Sequence, residues 1–252
     1  MSIVSFIGAG PGDPELITLK AVNRIRKAGV IIYAGSLVPD SVFMPYSNAL
    51  PEDIHNSAEL TLEETHELIV KAISEGKDVA RIHTGDPSMY GATSEQMALL
   101  DRDKIEYEVI PGVSSAMAAA AALKTEFTFP DITQTAIFTR IQGQTPVPDK
   151  EDLARLAEHQ ATMVIFLSTH RSEAVVEKLK GAYPAGTPAV IAYRVGWPDQ
   201  KIIHTAIENI AEMIKQHGLK KQALILVGRV FDYKTRTGGR SVLYGTDKRN
   251  SE

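Results

Sequence analysis

The stretch Ile3-Val-Ser-Phe-Ile-Gly-Ala-Gly-Pro-Gly-Asp-Pro14 decides the fold class of this 252-residue chain. Its first five residues form a mainly apolar run that is typical of a buried strand. Glycines follow at positions 8, 10 and 12, and residues 14–28 predict a helix. A strand that runs through a glycine turn into a helix is a common place to hold an anionic or nucleotide-like ligand. A tight turn before a helix would use the same residues without any ligand, so both interpretations stand at this point.

This first turn lacks the signatures of two common nucleotide sites. The dinucleotide fingerprint needs a third glycine three residues after the second, and Asp13 occupies that position. The Gly-Lys-Ser/Thr sequence of the phosphate-binding loop is also absent. The helix that follows is expected to place four apolar side chains on one side, namely Leu16, Leu19, Val22 and Ile25.

Composition excludes several classes of protein. The net charge of −4 does not suit binding to a nucleic-acid backbone or to an anionic membrane. Since the chain has no cysteine, disulfides, cysteine-ligated zinc and cysteine nucleophiles are excluded. No signal peptide is recognisable, and no apolar run approaches the roughly 20 residues that a membrane helix needs. A cytoplasmic protein is therefore expected.

Strand-like and helix-like segments alternate along the chain, which predicts mainly parallel sheets covered by helices. The predicted strands are 3–7, 30–33, 79–83, 107–110, 135–139, 162–167, 188–193, 201–204 and 223–227. A capping-box pattern, Thr61 to Glu64, marks the start of one helix, and an alanine-rich helix is expected over 114–123. The predicted domains are residues 1–113, residues 114–240 and a C-terminal tail, 241–252.

Two further strand-to-turn junctions resemble the first one in position. In His83-Thr-Gly-Asp-Pro87, Asp86 and Pro87 favour the start of a helix. Alternatively, Gly85 lets the backbone approach a ligand while the Asp86 carboxylate binds an amine or a hydroxyl. In Ile110-Pro-Gly-Val-Ser-Ser115, a serine can cap the next helix, and the Gly-x-Ser-x-Gly pattern of a nucleophilic serine is absent. All three junctions are expected at one edge of the sheet, where α/β proteins bind ligands.

The second half of the chain carries the basic residues that suit an acidic substrate. Arginine binds carboxylates with a two-pronged fork, so a subset of these residues would fit a substrate with several carboxylates. They are Arg140, Arg171, Arg194, Arg229, Lys234, Arg236 and Arg240. Trp197 is either a core residue or a flat surface that faces the ligand. No pair of carboxylates and no metal-binding histidine pattern stands out.

Taken together, these junctions resemble the tetrapyrrole methylase family over almost the whole chain. The stretches that carry the resemblance are Tyr33-Ala-Gly-Ser-Leu-Val-Pro39, His83-Thr-Gly-Asp-Pro-Ser-Met-Tyr-Gly91, Ile110–Ser115, Thr145-Pro-Val-Pro148 and Tyr193-Arg-Val-Gly-Trp-Pro-Asp199. The resemblance implies two α/β domains in tandem with an active-site trough between them. It also implies use of S-adenosylmethionine (SAM), with S-adenosylhomocysteine as product, and a homodimer. Within the family it points to the branch that methylates C11 of precorrin-4 or cobalt-precorrin-4.

The resemblance also implies which residues contact the cofactor. They are Pro11, Thr84, Gly85, Asp86, Met89, Ser114, Ser115, Leu167, Val195, Gly196, Ala223 and Leu224. The candidates for binding the tetrapyrrole substrate are Arg140, Arg171, Arg194 and Trp197, and those for a catalytic role are Tyr90, Arg194 and Asp199. Family members that methylate uroporphyrinogen carry an aspartate where this chain has Ala34, so no general base is carried over. The alternatives are a methylase that acts on another ring position and a non-catalytic tetrapyrrole-binding protein.

Overall fold

The computed structural model describes residues 2–232, and within it the chain divides into two compact units. Unit 1 holds the residues up to Ala118 together with Gly196–Pro198, and unit 2 holds 119–195 and the residues from Asp199 onward. The sequence places the division after residue 113. The predicted tail, 241–252, and the basic residues Lys234, Arg236 and Arg240 lie outside the described residues.

Unit 1 is built on a parallel five-stranded sheet with the order β3-β2-β4-β1-β5. Its strands are β1 (Val4–Gly8), β2 (Val30–Tyr33), β3 (Ile54–Asn56), β4 (Val79–His83) and β5 (Tyr107–Ile110). Its helices are α1 (Leu19–Lys27), α2 (Leu62–Ser74) and α3 (Thr93–Arg102), and α4 (Ser115–Leu123) contains the division at Ala118. The central strand β1 is buried along its whole length because apolar clusters cover both faces of the sheet. The prediction of a parallel sheet is confirmed here, although β3 was not predicted.

The first predicted helix is wrong in its bounds. Residues Pro14–Leu16 form one turn of 3-10 helix, Ile17 is extended, and α1 begins only at Leu19. The Thr18 hydroxyl caps α1 by accepting a hydrogen bond from the N–H of Ala21. As a result Leu19 does not join the apolar side of the helix: it is 84% exposed, whereas Val22 and Ile25 are buried.

The helix predicted to start at Pro87 is also absent. Turns occupy the residues between β4 and α3, and α3 begins at Thr93. The carboxylate of Asp86 accepts a hydrogen bond from the N–H of Ser88, which closes a local turn instead of starting a helix. Tyr90 (φ 56°) and Ala92 (φ 48°) then adopt the left-handed conformation, which no α-helix can continue through.

Unit 2 contains a mixed five-stranded sheet with the order β6-β7-β10-β8-β9. Its strands are β6 (Ala136–Arg140), β7 (Thr162–Phe166), β8 (Pro188–Tyr193), β9 (Lys201–Ala206) and β10 (Ala223–Val227), and its helices are α5 (Leu153–Ala157), α6 (Ser172–Lys180) and α7 (Ile210–Gln216). Only β6 and β7 run parallel in this sheet, so the prediction of a mainly parallel sheet is wrong for unit 2. For β8 and β9 the reason is the short connection 194–200, since a parallel crossover needs a dozen residues or more.

Candidate functional site: the glycine-turn junction

The first two glycine turns of unit 1 are joined directly through their backbones. The N–H of Gly10 donates to the carbonyl of Gly85 at 3.2 Å, and the N–H of Gly85 donates to the carbonyl of Gly10 at 2.8 Å. The N–H of Ala9 also donates to the carbonyl of His83 at 2.8 Å. Because β1 and β4 are neighbours in the sheet, the turns that follow them lie side by side, and Gly10 and Gly85 form an antiparallel bridge beyond the parallel strands.

The third turn meets the other two at a contact that only glycine allows. A Cβ atom on Gly8 would lie 2.5 Å from the nitrogen of Gly112 and 2.7 Å from the carbonyl oxygen of Gly85. A Cβ on Gly112 would lie 2.2 Å from that same oxygen. Any side chain would therefore push the turns apart. The expectation that the three junctions share one edge of the sheet is confirmed, and we call this meeting point the glycine-turn junction.

Asp86 braces the junction from one side. One carboxylate oxygen accepts the N–H of Ser88, and the other accepts the N–H of Gly112 at 2.9 Å, so the side chain ties the second turn to the third. Partial burial would by itself raise the pKa of the Asp86 carboxyl, but the hydrogen bonds from Ser88 and Gly112 outweigh burial and leave the pKa lowered. The sequence allows Asp86 as a helix cap or as a ligand-binding carboxylate, and the resemblance implies a cofactor contact; in the structure the carboxylate holds two turns together.

Trp197 packs against the first turn. Its indole Nε1–H donates to the carbonyl of Pro11 at 3.0 Å, and a Cβ on Gly12 would lie only 2.4 Å from the indole ring. The neighbouring Gly196 has a φ of 86° and also lies close to the Pro11 side chain, since a Cβ there would be 3.1 Å from the proline Cγ. Trp197 and Gly196 thus fix the outer side of the turn that carries Pro11.

Two buried polar residues of β4 lie behind the junction. The His83 ring is 5% exposed and lies 5.9 Å from the Phe6 ring, and its buried Nε2 has no hydrogen-bond partner. Burial, and secondarily the charge of Arg81, lowers the pKa of His83 to about 3. Arg81 itself is 7% exposed and donates to the side chain of Gln96 at 2.9 Å. This pair was not predicted, because a short strand with two polar residues has the same pattern whether or not they interact.

The remaining unit 1 candidates lie on the turns themselves. Thr84 and Met89 are half-buried, and Tyr90 is 43% exposed. The Ser114 hydroxyl accepts the N–H of Ala116 at 3.3 Å, and Ser115 is the first residue of α4. Ser114 therefore acts as a helix cap, as one reading of the sequence expects.

The candidates of unit 2 are grouped around the ends of β7 and β10. Leu167 follows β7 and has a φ of 52°, a left-handed conformation that is uncommon for residues other than glycine. Its large apolar side chain is 60% exposed. Ala223 and Leu224 begin β10 and are buried, and the Thr169 hydroxyl donates to the carbonyl of Ala223 at 3.2 Å. Val195 is also buried.

Two of the predicted substrate arginines bind the same loop of unit 2. Arg140 donates to the carbonyls of Thr145 and Pro146, each at 3.0 Å, and Arg171 donates to the carbonyl of Gln142. These arginines order the 141–148 loop. Arg194, whose φ is 45°, instead pairs with the carboxylate of Asp199 at 2.6 Å.

Two further properties concern residues 2–232 as a whole. Within that range no three histidine, aspartate or glutamate side chains come together as ligands for a metal ion. None of the helices in the same range has the length and apolar character required to cross a membrane.

Comparison with known proteins agrees with this architecture. Residues 4–211 match the family model of the tetrapyrrole (corrin/porphyrin) methylases. A cobalt-precorrin-4 C(11)-methyltransferase of Methanocaldococcus jannaschii is 50% identical over 232 residues, which cover 92% of this chain and 89% of that protein. An X-ray structure of cobalt precorrin-4 methyltransferase superimposes with a TM-score of 0.86 at 42% identity, covering 91% of this chain and 96% of that one. The uroporphyrin-III C-methyltransferase of Thermus thermophilus, solved with S-adenosylhomocysteine, gives a TM-score of 0.75 at 25% identity, covering 91% and 93%. The chain belongs to the tetrapyrrole methylase family.

Proposed function

We propose that this protein is a SAM-dependent methyltransferase that methylates C11 of precorrin-4 or cobalt-precorrin-4 in cobalamin biosynthesis. The observation that carries the proposal is the glycine-turn junction, where three turns far apart in the chain are held backbone to backbone. Relatives that align with about nine-tenths of this chain are named for that activity.

The residues of the junction fit a small ligand such as SAM. A Cβ on Gly85 would meet only ordinary contacts, the nearest being the Cα of Ser114 at 3.7 Å, so the second turn is packed less tightly here than at Gly8 and Gly112. Asp86 and Trp197 support the surrounding turns from both sides through their bonds to Gly112 and Pro11. In this proposal the turns present backbone groups to the donor, and the two side chains keep those groups in place.

The proposed chemistry makes small demands on acid or base groups. When bound, SAM would supply a methyl group on a sulfonium and its sulfur would leave as a neutral thioether, while the charge gained by the ring would be released as a pyrrole proton to solvent or a nearby group. A ring carbon of an electron-rich tetrapyrrole needs little activation as the nucleophile. The main task of the protein is to align two reactants, which corresponds to effective molarities of about 10⁵–10⁸ M. This agrees with a junction whose polar side chains serve as braces.

Several finer assignments remain part of the proposal. Leu167, Val195, Gly196, Ala223 and Leu224 are proposed as further cofactor contacts, and the exposed Leu167 suits this role because its strained backbone displays an apolar side chain. For Arg140 and Arg171 we propose that they shape the 141–148 loop for the substrate. Trp197, Tyr90, Arg194 and Asp199 keep their predicted roles. We also expect a homodimer in the cytoplasm, and light scattering measures the oligomeric state.

A methyl-transfer assay with ¹³C-methyl SAM tests the function. Precorrin-4 and cobalt-precorrin-4 are offered separately, and NMR locates the new methyl group. We expect label at C11 with at least one of them. Label at another ring position would show that the protein methylates a carbon other than C11. Tight binding of the tetrapyrrole without transfer would identify a non-catalytic binding protein and contradict the proposal.

A further inference from the structure

Arg81 is a charged side chain buried in the sheet of unit 1, and burying a charge is costly. It lies in the middle of β4 and is 7% exposed, and its two bonds go to the side chain of Gln96 at 2.9 Å and to the carbonyl of Ile32 at 3.3 Å. Among the described residues no carboxylate forms a salt bridge with it. Burial lowers its pKa to about 10, which reflects the cost of keeping the charge there. An apolar residue would avoid that cost, so the polar contacts of Arg81 need an explanation beyond stability.

Gln96 extends the bond from Arg81 to the end of the loop that follows β4. It is 7% exposed on α3, its Oε1 accepts from Arg81, and its Nε2 donates to the carbonyl of Ala92 at 3.0 Å. Both ends of the amide are therefore used, which fixes its orientation. Arg81 in β4 thus bonds Ile32 in β2 and Gln96 in α3, and Gln96 bonds Ala92, the last residue before α3.

The 86–92 loop is held in a conformation that its own residues do not favour. Tyr90 and Ala92 are both left-handed, with φ of 56° and 48°. Gly91 between them packs on the loop itself, because a Cβ there would lie 2.4 Å from the carbonyl oxygen of Pro87. Residues other than glycine persist in this conformation only when their surroundings determine it, and such strain concentrates at functional sites.

The two ends of this loop are fixed by different means. Asp86, at one end, bonds Ser88 and the glycine-turn junction. At the other end, Ala92 is bonded by Gln96. Tyr90, two residues before Ala92, is 43% exposed, so part of its aromatic side chain is accessible to a ligand. A ring of this kind provides a face for a flat, largely apolar ligand and a hydroxyl for a polar edge.

We propose that the Arg81–Gln96 network is a positioning device that holds the 86–92 loop so that Tyr90 contacts the tetrapyrrole acceptor. This inference rests on the proposed function and deepens it, because it separates the group that holds the acceptor from the turns that hold the donor. Arg81 and Gln96 are positioning residues, and Tyr90 is the residue that touches the substrate.

The test uses Gln96→Leu in the full-length protein, with His66→Asn as the matched control. His66 is also buried and also anchors α3, but at its other end, through a 2.6 Å contact with Asp103. In Gln96→Leu we expect amide hydrogen exchange over residues 86–92 to rise about tenfold, since local opening becomes easier. We expect the KM for the tetrapyrrole to rise about tenfold, while the affinity for S-adenosylhomocysteine stays within about threefold of wild type. Neither effect is expected in His66→Asn.

A conservative variant separates positioning from general stability. Arg81→Lys keeps a cation that can donate to Gln96 and is expected to restore most of the loop protection and KM that Arg81→Met loses. The inference is overturned if Gln96→Leu matches His66→Asn in both loop exchange and KM. It is equally overturned if the loop opens without any change in KM. A wild-type protein that binds no S-adenosylhomocysteine would contradict the proposed function instead, and loop exchange would still report on the network.

Discussion

At the scale of single residues, His83 is a titratable group whose pKa is strongly lowered by folding. Burial and the charge of Arg81 lower its pKa to about 3, from an ordinary value of 6.5. The unfolded chain therefore binds a proton more readily than the folded protein between these two values. It follows that His83 makes the protein less stable as the pH falls from 6.5 towards 3.

We predict that His83→Phe removes this acid sensitivity. The wild-type free energy of unfolding should fall by about 2 kcal/mol more than that of the variant between about pH 6 and about pH 4.5, since each pKa unit corresponds to about 1.4 kcal/mol. Urea denaturation at a series of pH values measures it. The same substitution at the exposed His159 controls for the loss of a histidine. Equal pH dependence in the wild type and His83→Phe would show that His83 is not protected in this way.

The residues of the site were predictable to different degrees. The glycines at 8, 85 and 112 stand out in the sequence because each follows a predicted strand, and the structure brings them together. The roles of Asp86 and Trp197 were not predictable, because each depends on a partner far along the chain. Asp86 reaches Gly112 across 26 residues, and Trp197 reaches Pro11 across 186. Local pattern carries no information about such pairs.

At the scale of secondary-structure elements, the start of α1 can be tested by whether a substitution at Thr18 raises or lowers the free energy of unfolding. Thr18 is the N-cap of α1, and we predict that Thr18→Ala lowers the free energy of unfolding by about 1 kcal/mol. If the helix instead ran unbroken from residue 14, position 18 would be interior, and alanine would stabilise the protein. Chemical denaturation measures the difference. Thr61→Ala, which removes the capping box of α2, provides the reference value for a lost cap.

The elements show where sequence patterns succeed and fail. Strands such as Val30–Tyr33, Val79–His83 and Tyr107–Ile110 were predicted with their observed bounds, because buried strands are short apolar runs between turn residues. The start of α1 was missed because a single turn of 3-10 helix at Pro14–Leu16 continues the same spacing of apolar residues. The antiparallel pairing of β8 with β9 was missed because strand direction depends on the connection and not on the strand.

At the scale of the whole molecule, the family and the proposed reaction agree with a site built from backbone. Two charged side chains of β4 and of the turn after it serve other groups of the protein: Asp86 binds Ser88 and Gly112, and Arg81 binds Gln96 and Ile32. A reaction that needs a strong general base would be expected to keep such a group available. Transfer of a methyl group from a sulfonium needs alignment above all, which a rigid junction provides.

The most direct test of the central claim, that the junction holds the methyl donor, is calorimetric titration of S-adenosylhomocysteine into glycine variants. Gly112→Ala forces a Cβ to within 2.2 Å of the Gly85 carbonyl oxygen, whereas Gly85→Ala meets ordinary contacts but strains a left-handed backbone (φ 61°) at the turn proposed to bind the ligand. Gly143→Ala, where a Cβ has nothing within 4 Å, is the matched control. We predict that both junction variants weaken binding at least about tenfold, a loss of about 1.4 kcal/mol, while Gly143→Ala binds as the wild type does. Folded junction variants with wild-type affinity would contradict the account.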